Sequence, residues 1–354
     1  MTRPPLPVVV LAGFLGAGKT TLLNHVLRHA GGRRIGVLVN DFGAVNIDAL
    51  LVSGQSGGTM NLSNGCMCCT TDAGDLAETL ATMAAPANGL DAVLIEASGI
   101  AEPRALVRMV LAARSARLAY GGLVYLVDAA NYVPTAAAHP QIVDHLSIAD
   151  LVVCNKIDLC ADESDAARVL DAVRAANETA PLVPVRHAAV DPALFFDPVE
   201  RIVGDDGPRQ LSFDELLFAD EHDEHGPDGH ADHRHGDHLH DGFDSASLET
   251  DRPVNPRRLA RFLERPPAGA YRIKGTVLID HPDHRGVAYT VQAVGGFVSV
   301  DAGSWRGRTP GTSLVVIGAG LDPAAARDAL EQTLIPAEAD DPTGILHLTR
   351  HLVE

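Results

Sequence analysis

A glycine-rich segment near the start of the chain lies between an apolar run and a helix pattern, and it constrains the fold more than any other feature. The run PVVVLAG leads into GFLGAGKTT, and the periodic pattern LLNHVL follows. Glycines let such a loop fold with its backbone N–H groups pointing inward, at a helix N-terminus whose partial positive charge favours an anion. A tight turn would explain the glycines alone, but strand, loop and helix in this order predict a phosphate-binding loop.

The spacing within this loop is Gly13-x4-Gly18-Lys19-Thr20. A lysine at this position reaches the β- and γ-phosphates of a nucleotide, and the hydroxyl of the next residue binds Mg²⁺. We therefore predict a nucleotide site with Mg²⁺ as a cofactor. Its predicted loop residues are Gly13, Gly16, Ala17, Gly18, Lys19, Thr20 and Thr21.

Continuous apolar runs alternate with helix patterns over the first half of the chain. The runs cover residues 6–13, 34–40, 91–97, 122–128 and 150–156, and helix patterns cover 19–30 and 162–177. Parallel strands need crossover connections, which place helices on both faces of the sheet. The pattern predicts an α/β fold, a P-loop NTPase domain with a mainly parallel sheet over residues 1–205.

The composition changes abruptly after this region. Between Asp220 and Asp244 the chain carries seven His and nine Asp or Glu against one Arg. Such a segment cannot bury enough apolar surface to offset the entropy of ordering it, so we predict a flexible linker or insertion over 206–255. A helix pattern and further β-branched runs follow, which predict a smaller α+β domain over 256–354 with Asp322 as a helix N-cap.

The motif Asn155-Lys156-x-Asp158 lies at the end of the apolar run 150–156, where ligands bind in open α/β sheets. A carboxylate there accepts two hydrogen bonds from N1–H and the exocyclic amino group of guanine, a donor pair that adenine lacks. Asn155 is expected to contact the base edge and Lys156 to lie along the ring. Because the motif follows a phosphate loop, it favours GTP as the nucleotide.

Two acidic residues at strand ends are candidates for hydrolysis. Glu96 ends the run 91–97 and can act on the Mg²⁺ shell or its water, while Gly99 can bring a backbone N–H to the γ-phosphate. The alternative for Glu96 is a cap of the helix pattern that follows. Asp41 ends another strand and is a second polar candidate. The predicted catalytic residues are Lys19, Asp41 and Glu96, and without an evident glutamine or arginine finger we expect slow intrinsic hydrolysis.

A cysteine cluster lies between the first two phosphate-facing segments and Glu96. Thiolates at Cys66, Cys68 and Cys69 converge on one ion when the chain turns, and such soft ligands suit Zn²⁺, Co²⁺ or Cu(I). Asp41, Asp72, a histidine or water remains for a fourth position. Buried cysteines that fill the core are the alternative, but the glycine and polar neighbours argue against it.

The His/Asp/Glu tract is a second metal candidate, because imidazoles on a flexible chain bind Zn²⁺, Ni²⁺ or Co²⁺ with adaptable geometry. A solvated linker with weak adventitious metal binding is the alternative. His281 and His284 could add ligands, although a turn with exposed histidines explains them equally well; Cys154 and Cys160 are expected to be structural. The predicted auxiliary ligands are His222, His225, His230, His233, His235, His238 and His240.

The formal net charge of the chain is −18. This charge repels nucleic-acid phosphates and anionic lipid, so we expect neither a nucleic-acid nor a membrane partner. The apolar stretch at the N-terminus is too short to span a bilayer and has no small-residue cleavage pattern, which favours a soluble, cytoplasmic protein. The odd number of five cysteines favours reduced thiols over a disulfide framework.

Together these motifs resemble the CobW family of P-loop GTPases, whose members act as metallochaperones or metal-insertion factors. The matching segments occur in the family's order over nearly the whole chain: GFLGAGKTTLLNHVL, NDFGAVNID, NGCMCC, IEASGIAEP, NKID, a His-rich connector, YRIKG and VVIGAGLD. The resemblance implies that GTP hydrolysis reshapes the loops around Cys66, Cys68 and Cys69, so that metal is held in one nucleotide state and released in another.

The resemblance also has limits. Many relatives carry glutamate where this chain has Ala44, and Asp41 and Glu102 replace a frequent glutamate and a frequent aspartate. The leading hypothesis is a GTP-dependent zinc or cobalt chaperone that serves an unidentified client metalloprotein, with a homodimer left open. The alternatives are a metal buffer based on the His tract, and a GTPase switch for a protein partner with structural zinc.

Overall fold

The computed structural model describes two α/β regions of the chain. Their residues belong to one compact unit, formed from 1–197 and 239–354. The residues that the structure describes are 5–40, 47–53, 59–61, 73–99, 102–113, 115, 117–196, 244–305, 307, 309–336, 341 and 343–352.

The first region is built on an eight-stranded sheet with the strand order β4-β3-β2-β5-β1-β6-β7-β8. Strands β2, β5, β1, β6, β7 and β8 run parallel to one another, whereas β3 and β4 are antiparallel additions at the β2 edge. The predicted fold, a mainly parallel P-loop sheet followed by a smaller domain, is confirmed. The strands are β1 (Leu6–Gly13), β2 (Arg34–Asn40), β3 (Ile47–Ser53), β4 (Thr59–Asn61), β5 (Ala92–Glu96), β6 (Leu118–Asp128), β7 (Leu151–Asn155) and β8 (Leu182–Pro184).

Helices cover both faces of this sheet, as its continuously buried strands require. One face packs against a core that includes Leu80, Leu106, Leu146 and Val173, whereas the other packs against Leu22 and the first helix. The helices are α1 (Lys19–Arg28), α2 (Ala73–Met83), α3 (Pro103–Ala112), α4 (Tyr132–Ala138), α5 (Gln141–Ser147) and α6 (Glu163–Ala176). Short 3₁₀ helices lie at Pro86–Asn88, Ala129–Asn131, Ile157–Leu159 and Pro192–Phe195.

The second region is an antiparallel five-stranded sheet with the order β12-β11-β10-β13-β9. The helix α7 packs across it with a fully buried Leu259 and Leu263. Its strands are β9 (Asp244–Thr250), β10 (Ala270–Val277), β11 (Val287–Val294), β12 (Phe297–Ser304) and β13 (Thr312–Gly318). Its helices are α7 (Pro256–Glu264), α8 (Pro323–Gln332) and α9 (Leu346–Thr349), with a 3₁₀ helix at Pro282–His284.

Side-chain caps fix where the helices of this region begin. The Asp322 carboxylate accepts hydrogen bonds from the backbone N–H groups of Ala324 and Ala325, so the predicted N-cap is confirmed. The helix α7 begins in the same way, with the Asn255 side chain accepting from two backbone N–H groups. In both helices a proline occupies the first turn, where its missing N–H has no helical partner to lose.

Two strands of the second sheet have no counterpart in the sequence prediction. The strand β12 follows β11 after a turn at Gly295 and Gly296, and its outer residues are exposed. The edge strand β9 pairs with β13, although its residues fall in the predicted linker range 206–255. Its Asp, Ser, Glu and Thr residues carry little of the apolar pattern expected of a strand.

The two regions share part of their cores. Tyr271, Val294 and Ala319 of the second region pack with Val124 and neighbouring side chains on the α1 face of the first sheet. Because these side chains are buried, the second region covers part of the α1 face of the first sheet.

A β-bulge in β6 provides the polar contacts of this interface. The pairing of β1 with β6 shifts between Val8 and Val9, so Gly121 has no partner on β1. Its carbonyl accepts a 2.8 Å hydrogen bond from the Tyr271 hydroxyl, and the carbonyl of Tyr120 accepts one of 3.1 Å from Gln292. The bulge thus turns backbone acceptors of β6 towards the second sheet.

No helix in the described part of the chain is long and apolar enough to cross a membrane.

Candidate phosphate and base site

The glycine-rich loop connects the C-terminal end of β1 to α1 and adopts backbone conformations that favour glycine. Gly13, Gly16 and Gly18 have φ angles of 144°, 78° and 107°. The Lys19 ammonium donates hydrogen bonds to the carbonyls of Gly13 at 2.9 Å and Phe14 at 3.2 Å, so the lysine folds back over its own loop. Burial lowers the pKa of Lys19, although the nearby Glu96 carboxylate opposes that shift.

Thr20 and Glu96 meet at the end of the loop. The hydroxyl of Thr20, in the first turn of α1, donates a 2.7 Å hydrogen bond to Glu96 Oε1 at the end of β5. Glu96 is 8% exposed. The cap of α3 is Glu102, which accepts from the N–H of Arg104, so Glu96 does not have the capping role considered from sequence. A hydroxyl and a carboxylate held together are the oxygen donors that Mg²⁺ prefers.

Asn155 joins the predicted base motif to the phosphate loop. Its Nδ2 group donates a 2.9 Å hydrogen bond to the carbonyl of Ala17, and its Oδ1 accepts one of 2.7 Å from the N–H of Ala188. The side chain is 2% exposed. Both ends of the amide are therefore engaged, and Asn155 fixes two loops relative to each other instead of pointing into open space.

The rest of the motif lies immediately beyond β7. Lys156 has a left-handed backbone with φ of 62°, and its ammonium donates to Asp128 Oδ2 at 2.8 Å. Asp158 lies in the 3₁₀ helix Ile157–Leu159 and is exposed. An exposed carboxylate beside the buried Asn155 is available to a base at this edge of the sheet. Gly99 lies beside Leu15 of the phosphate loop, where an added Cβ would come within 2.7 Å of the Leu15 side chain.

Sequence reasoning missed two parts of this site. The loop after β8 contains consecutive left-handed residues, His187 with φ of 52° and Ala188 with φ of 55°, and it supplies the N–H that binds Asn155. Neither residue is glycine, so the usual signal for this conformation is absent. The second part is Asp128, whose only signal is an acid at the end of an apolar strand.

Several predicted site residues lie outside the described residues. Within the described ranges, no group of three or more His, Cys, Asp or Glu side chains is placed to hold a metal ion. The residues outside are Asp41, Ala44, Cys66, Cys68, Cys69, Asp72, His222, His225, His230, His233, His235, His238 and His240.

The remaining cysteine and histidine candidates have other contacts. Cys154 is buried in the core of the sheet, and burial raises the pKa of its thiol to about 12, which fits a structural residue. His281 caps the 3₁₀ helix Pro282–His284 by accepting from the N–H of Asp283. The ring of His284 lies 2.6 Å from the Tyr289 hydroxyl.

Strand β1, the glycine-rich loop, α1 and the motif after β7 define the class of this protein, a P-loop nucleotide-binding protein. The model of the CobW/HypB/UreG nucleotide-binding domain matches residues 7–184, and that of the cobalamin synthesis protein cobW C-terminal domain matches 243–334. The chain belongs to the CobW family.

Similar proteins are named as zinc chaperones. The chain is 30% identical over 364 residues to "Zinc chaperone CobW" of Sinorhizobium sp, covering 92% of this chain and 96% of that protein. It is 29% identical over 199 residues to "Zinc chaperone YjiA" of Escherichia coli, covering 54% and 61%. The crystal structure of Zn(II)-bound YjiA GTPase from E. coli matches with 22% identity and a TM-score of 0.43, covering 94% of this chain and 99% of that chain.

Proposed function

We propose that this protein is a GTP-hydrolysing metallochaperone. It binds a transition metal, zinc first and cobalt next, through Cys66, Cys68 and Cys69, and transfers it to a client metalloprotein. The observation that carries the proposal is the amide of Asn155, the first residue of the predicted base motif, which connects the phosphate loop to the loop after β8. A site organised in this way serves a nucleotide with both a phosphate chain and a base.

The phosphate half of the proposal rests on Lys19, Thr20 and Glu96. Lys19 leaves its contacts with the Gly13 and Phe14 carbonyls and binds the β- and γ-phosphates. Thr20 and Glu96 hold Mg²⁺, which supplies charge neutralisation at the phosphates when bound. The same carboxylate keeps the Thr20 hydroxyl oriented before the nucleotide arrives, because the two groups are already hydrogen-bonded.

The base half rests on Asp158 and Lys156. The exposed Asp158 carboxylate accepts from the two donors of the guanine edge, and the stem of Lys156 covers the ring. Adenine cannot supply that pair of donors. We therefore expect GTP and GDP to bind and ATP to be rejected.

The metal-binding part of the proposal rests on the chemistry of the cysteine cluster and on relatives named as zinc chaperones. Thiolates bind zinc tightly, and three of them leave a fourth position open to exchange. The cluster lies in the chain between β4 and α2, and therefore in sequence between the phosphate loop and Glu96, the two segments proposed to contact the phosphates and Mg²⁺.

A titration of the apo-protein with Zn²⁺ and with Co²⁺ tests this proposal, performed with GTP, with GDP and without nucleotide. We expect one tight site whose metal affinity differs between the GTP and GDP states. By linkage, the metal must then change the relative affinity for the two nucleotides by the same factor. Equal metal affinity in all three states would contradict a nucleotide-controlled chaperone.

Cysteine variants assign the tight site. Cys66→Ser and Cys68→Ser should abolish tight stoichiometric binding, because each removes a thiolate ligand. Cys160→Ser is the matched control, since Cys160 is partly exposed and lies outside the cluster. Deletion of 220–244 should leave the tight site intact, whereas loss of most of the metal capacity in that deletion would indicate a His-rich buffer.

A further inference from the structure

We infer that Asp128 is a positioning residue for guanine-nucleotide binding, which acts by holding Lys156 beside the phosphate loop. The inference rests on the proposed function, because it concerns the base-binding half of that site. It assigns a role to a carboxylate at the end of β6, a strand with no direct part in the proposed phosphate or base contacts.

The register of the sheet places Asp128 between the two halves of the nucleotide site. On one side, β6 pairs with β1 so that Leu126 lies opposite Gly13, the first glycine of the phosphate loop. On the other side, β6 pairs with β7 so that Asp128 lies opposite Asn155, the first residue of the base motif. Backbone pairing with β7 therefore fixes the position of Asp128, two residues beyond the last pair with β1.

The contacts of the carboxylate are directed at Lys156. Asp128 Oδ2 accepts a 2.8 Å hydrogen bond from the Lys156 ammonium and one of 3.1 Å from the Asn131 amide. The Asp128 and Lys156 side chains are 16% and 31% exposed. An ion pair shielded to this degree is screened less by salt than one on an open surface.

Asp128 does not act as a helix cap. It occupies the N-cap position of the 3₁₀ helix Ala129–Asn131, where a carboxylate normally accepts from a backbone N–H, yet its side chain makes no such bond. Its second oxygen, Oδ1, is buried and has no hydrogen-bond partner among the described residues. A buried oxygen without a donor lowers the stability of the fold. Such a group therefore calls for an explanation, and a functional role of the carboxylate provides one.

The same carboxylate adjoins the phosphate loop. Asp128 and Asn131 line a cavity of about 270 Å³ together with Phe14 and Leu15, the two residues that follow Gly13. Through its hydrogen bond to Asp128, the Lys156 ammonium is therefore held beside the predicted phosphate loop. Without the ion pair, the Lys156 side chain would lose its rotamer freedom only when the nucleotide binds, which would weaken binding. The ion pair orders the side chain before the nucleotide arrives.

This arrangement predicts equal effects on GTP and GDP. Lys156 accompanies the base, which the two nucleotides share, whereas the γ-phosphate is bound by Lys19, Thr20 and the loop. Loss of the Asp128 contact should therefore raise the dissociation constants of both nucleotides. Turnover at saturating GTP should remain within about twofold of the unsubstituted chain, because the lost interaction is equal in the ground and transition states.

A double-mutant cycle on the full chain tests the inference, with the dissociation constants of GDP and GTP and the turnover number as readouts. We expect Asp128→Ala to weaken both nucleotides about tenfold, as expected for loss of a charge-assisted hydrogen bond. Asp128→Asn should have a smaller effect, since the amide oxygen still accepts from Lys156. In the Lys156→Ala background, Asp128→Ala should add less than about twofold, because the group it positions is gone.

Asp165→Ala is the control, since Asp165 forms a 2.8 Å ion pair with Arg168 on the exposed surface of α6. It should leave both dissociation constants unchanged.

The inference is overturned if Asp128→Ala weakens nucleotide binding equally with and without Lys156, or if it weakens binding in neither background. The urea midpoint of each variant is measured alongside, and Asp128→Asn decides the outcome if Asp128→Ala does not fold. If the unsubstituted chain binds neither GDP nor GTP, the proposed function itself fails, and the inference fails with it.

Discussion

At the scale of single residues, the nucleotide site depends on positions where space and backbone conformation both admit only glycine. Gly18 is one of these positions. Its φ of 107° is unfavourable for any residue with a Cβ, and a Cβ there would lie 2.4 Å from Asn155 Nδ2. A side chain at this position would therefore disturb the amide that joins the two halves of the site.

We predict that Gly18→Ala weakens GTP and GDP binding by at least about tenfold, because the methyl group displaces Asn155 and the left-handed backbone costs about 1 kcal/mol more. Isothermal titration with each nucleotide measures the effect. Gly31→Ala is the matched control, since Gly31 also has a positive φ, of 59°, but an added Cβ would meet nothing within 4 Å.

The Gly31→Ala chain should lose a little stability and keep its nucleotide affinity. Equal nucleotide affinities in the Gly18→Ala and Gly31→Ala chains would show that the contact with Asn155 is unimportant. The comparison separates steric displacement of Asn155 from the conformational cost that both substitutions share.

At the scale of elements, β6 has two roles at its two ends. Near its start, the bulge at Gly121 accepts a hydrogen bond from Tyr271 of the second sheet, and at its end Asp128 contacts Lys156. The neighbouring strand β7 repeats this division, with Asp150 just before it and Asn155 at its end. The domain interface and the nucleotide site thus lie at opposite ends of the same two strands.

Asp150 is the buried acid of this interface. Its carboxylate accepts from the Tyr120 hydroxyl at 2.6 Å and from the Leu123 N–H at 2.8 Å, and Gly296 supplies a further backbone hydrogen bond. Burial raises the pKa of Asp150 above its ordinary value of 3.8, despite these three donors. The folded protein therefore binds this proton more tightly than the unfolded chain does.

The sign of the pH effect follows. The stability that the protonated Asp150 contributes is fully present below about pH 3.8 and is lost as the pH rises through the raised pKa. We predict that Asp150→Asn removes this component, so the free energy of unfolding of the variant relative to the unsubstituted chain increases as the pH rises above about 3.8.

Urea unfolding at a series of pH values measures this difference. A constant offset is also expected, because an amide cannot replace both carboxylate oxygens as acceptors. The prediction therefore concerns only how the difference in free energy of unfolding between the two chains varies with pH. A difference that stays level across the acid range would contradict the raised pKa.

At the scale of the whole molecule, the described parts of the two regions form one compact unit with a shared core. The turn between β11 and β12 is the tightest contact of this interface. Gly295 has a φ of 55°, and a Cβ there would lie 1.8 Å from Asp150 Oδ1. The next residue, Gly296, has open space around it.

We predict that Gly295→Ala lowers the free energy of unfolding by about 2 kcal/mol or more, since the methyl group must displace a buried carboxylate and the backbone is strained as well. Calorimetry should show a lower midpoint, and separation into two transitions if the regions uncouple. Gly296→Ala is the control and should change the midpoint little. Similar losses for both substitutions would mean that the turn is sensitive to any side chain and that the Asp150 contact is not decisive.

The sequence determined the class of fold and the position of the glycine-rich loop between β1 and α1. Local patterns sufficed because a phosphate loop depends on a few glycines, a lysine and a threonine adjacent in the chain, and because parallel strands are apolar along their whole length. The helix N-cap at Asp322 was predictable for the same reason, since a cap involves residues only two or three positions apart.

Only the tertiary structure decided how distant segments meet. Strand register places Asp128 opposite Asn155, and the fold brings the Ala188 N–H to the Asn155 amide, although 33 residues separate those two groups. The edge strand β9 is polar and gains its conformation by pairing with β13, so its own pattern did not predict it. Contacts of this kind depend on register and packing between segments, which residue types at local spacings do not specify.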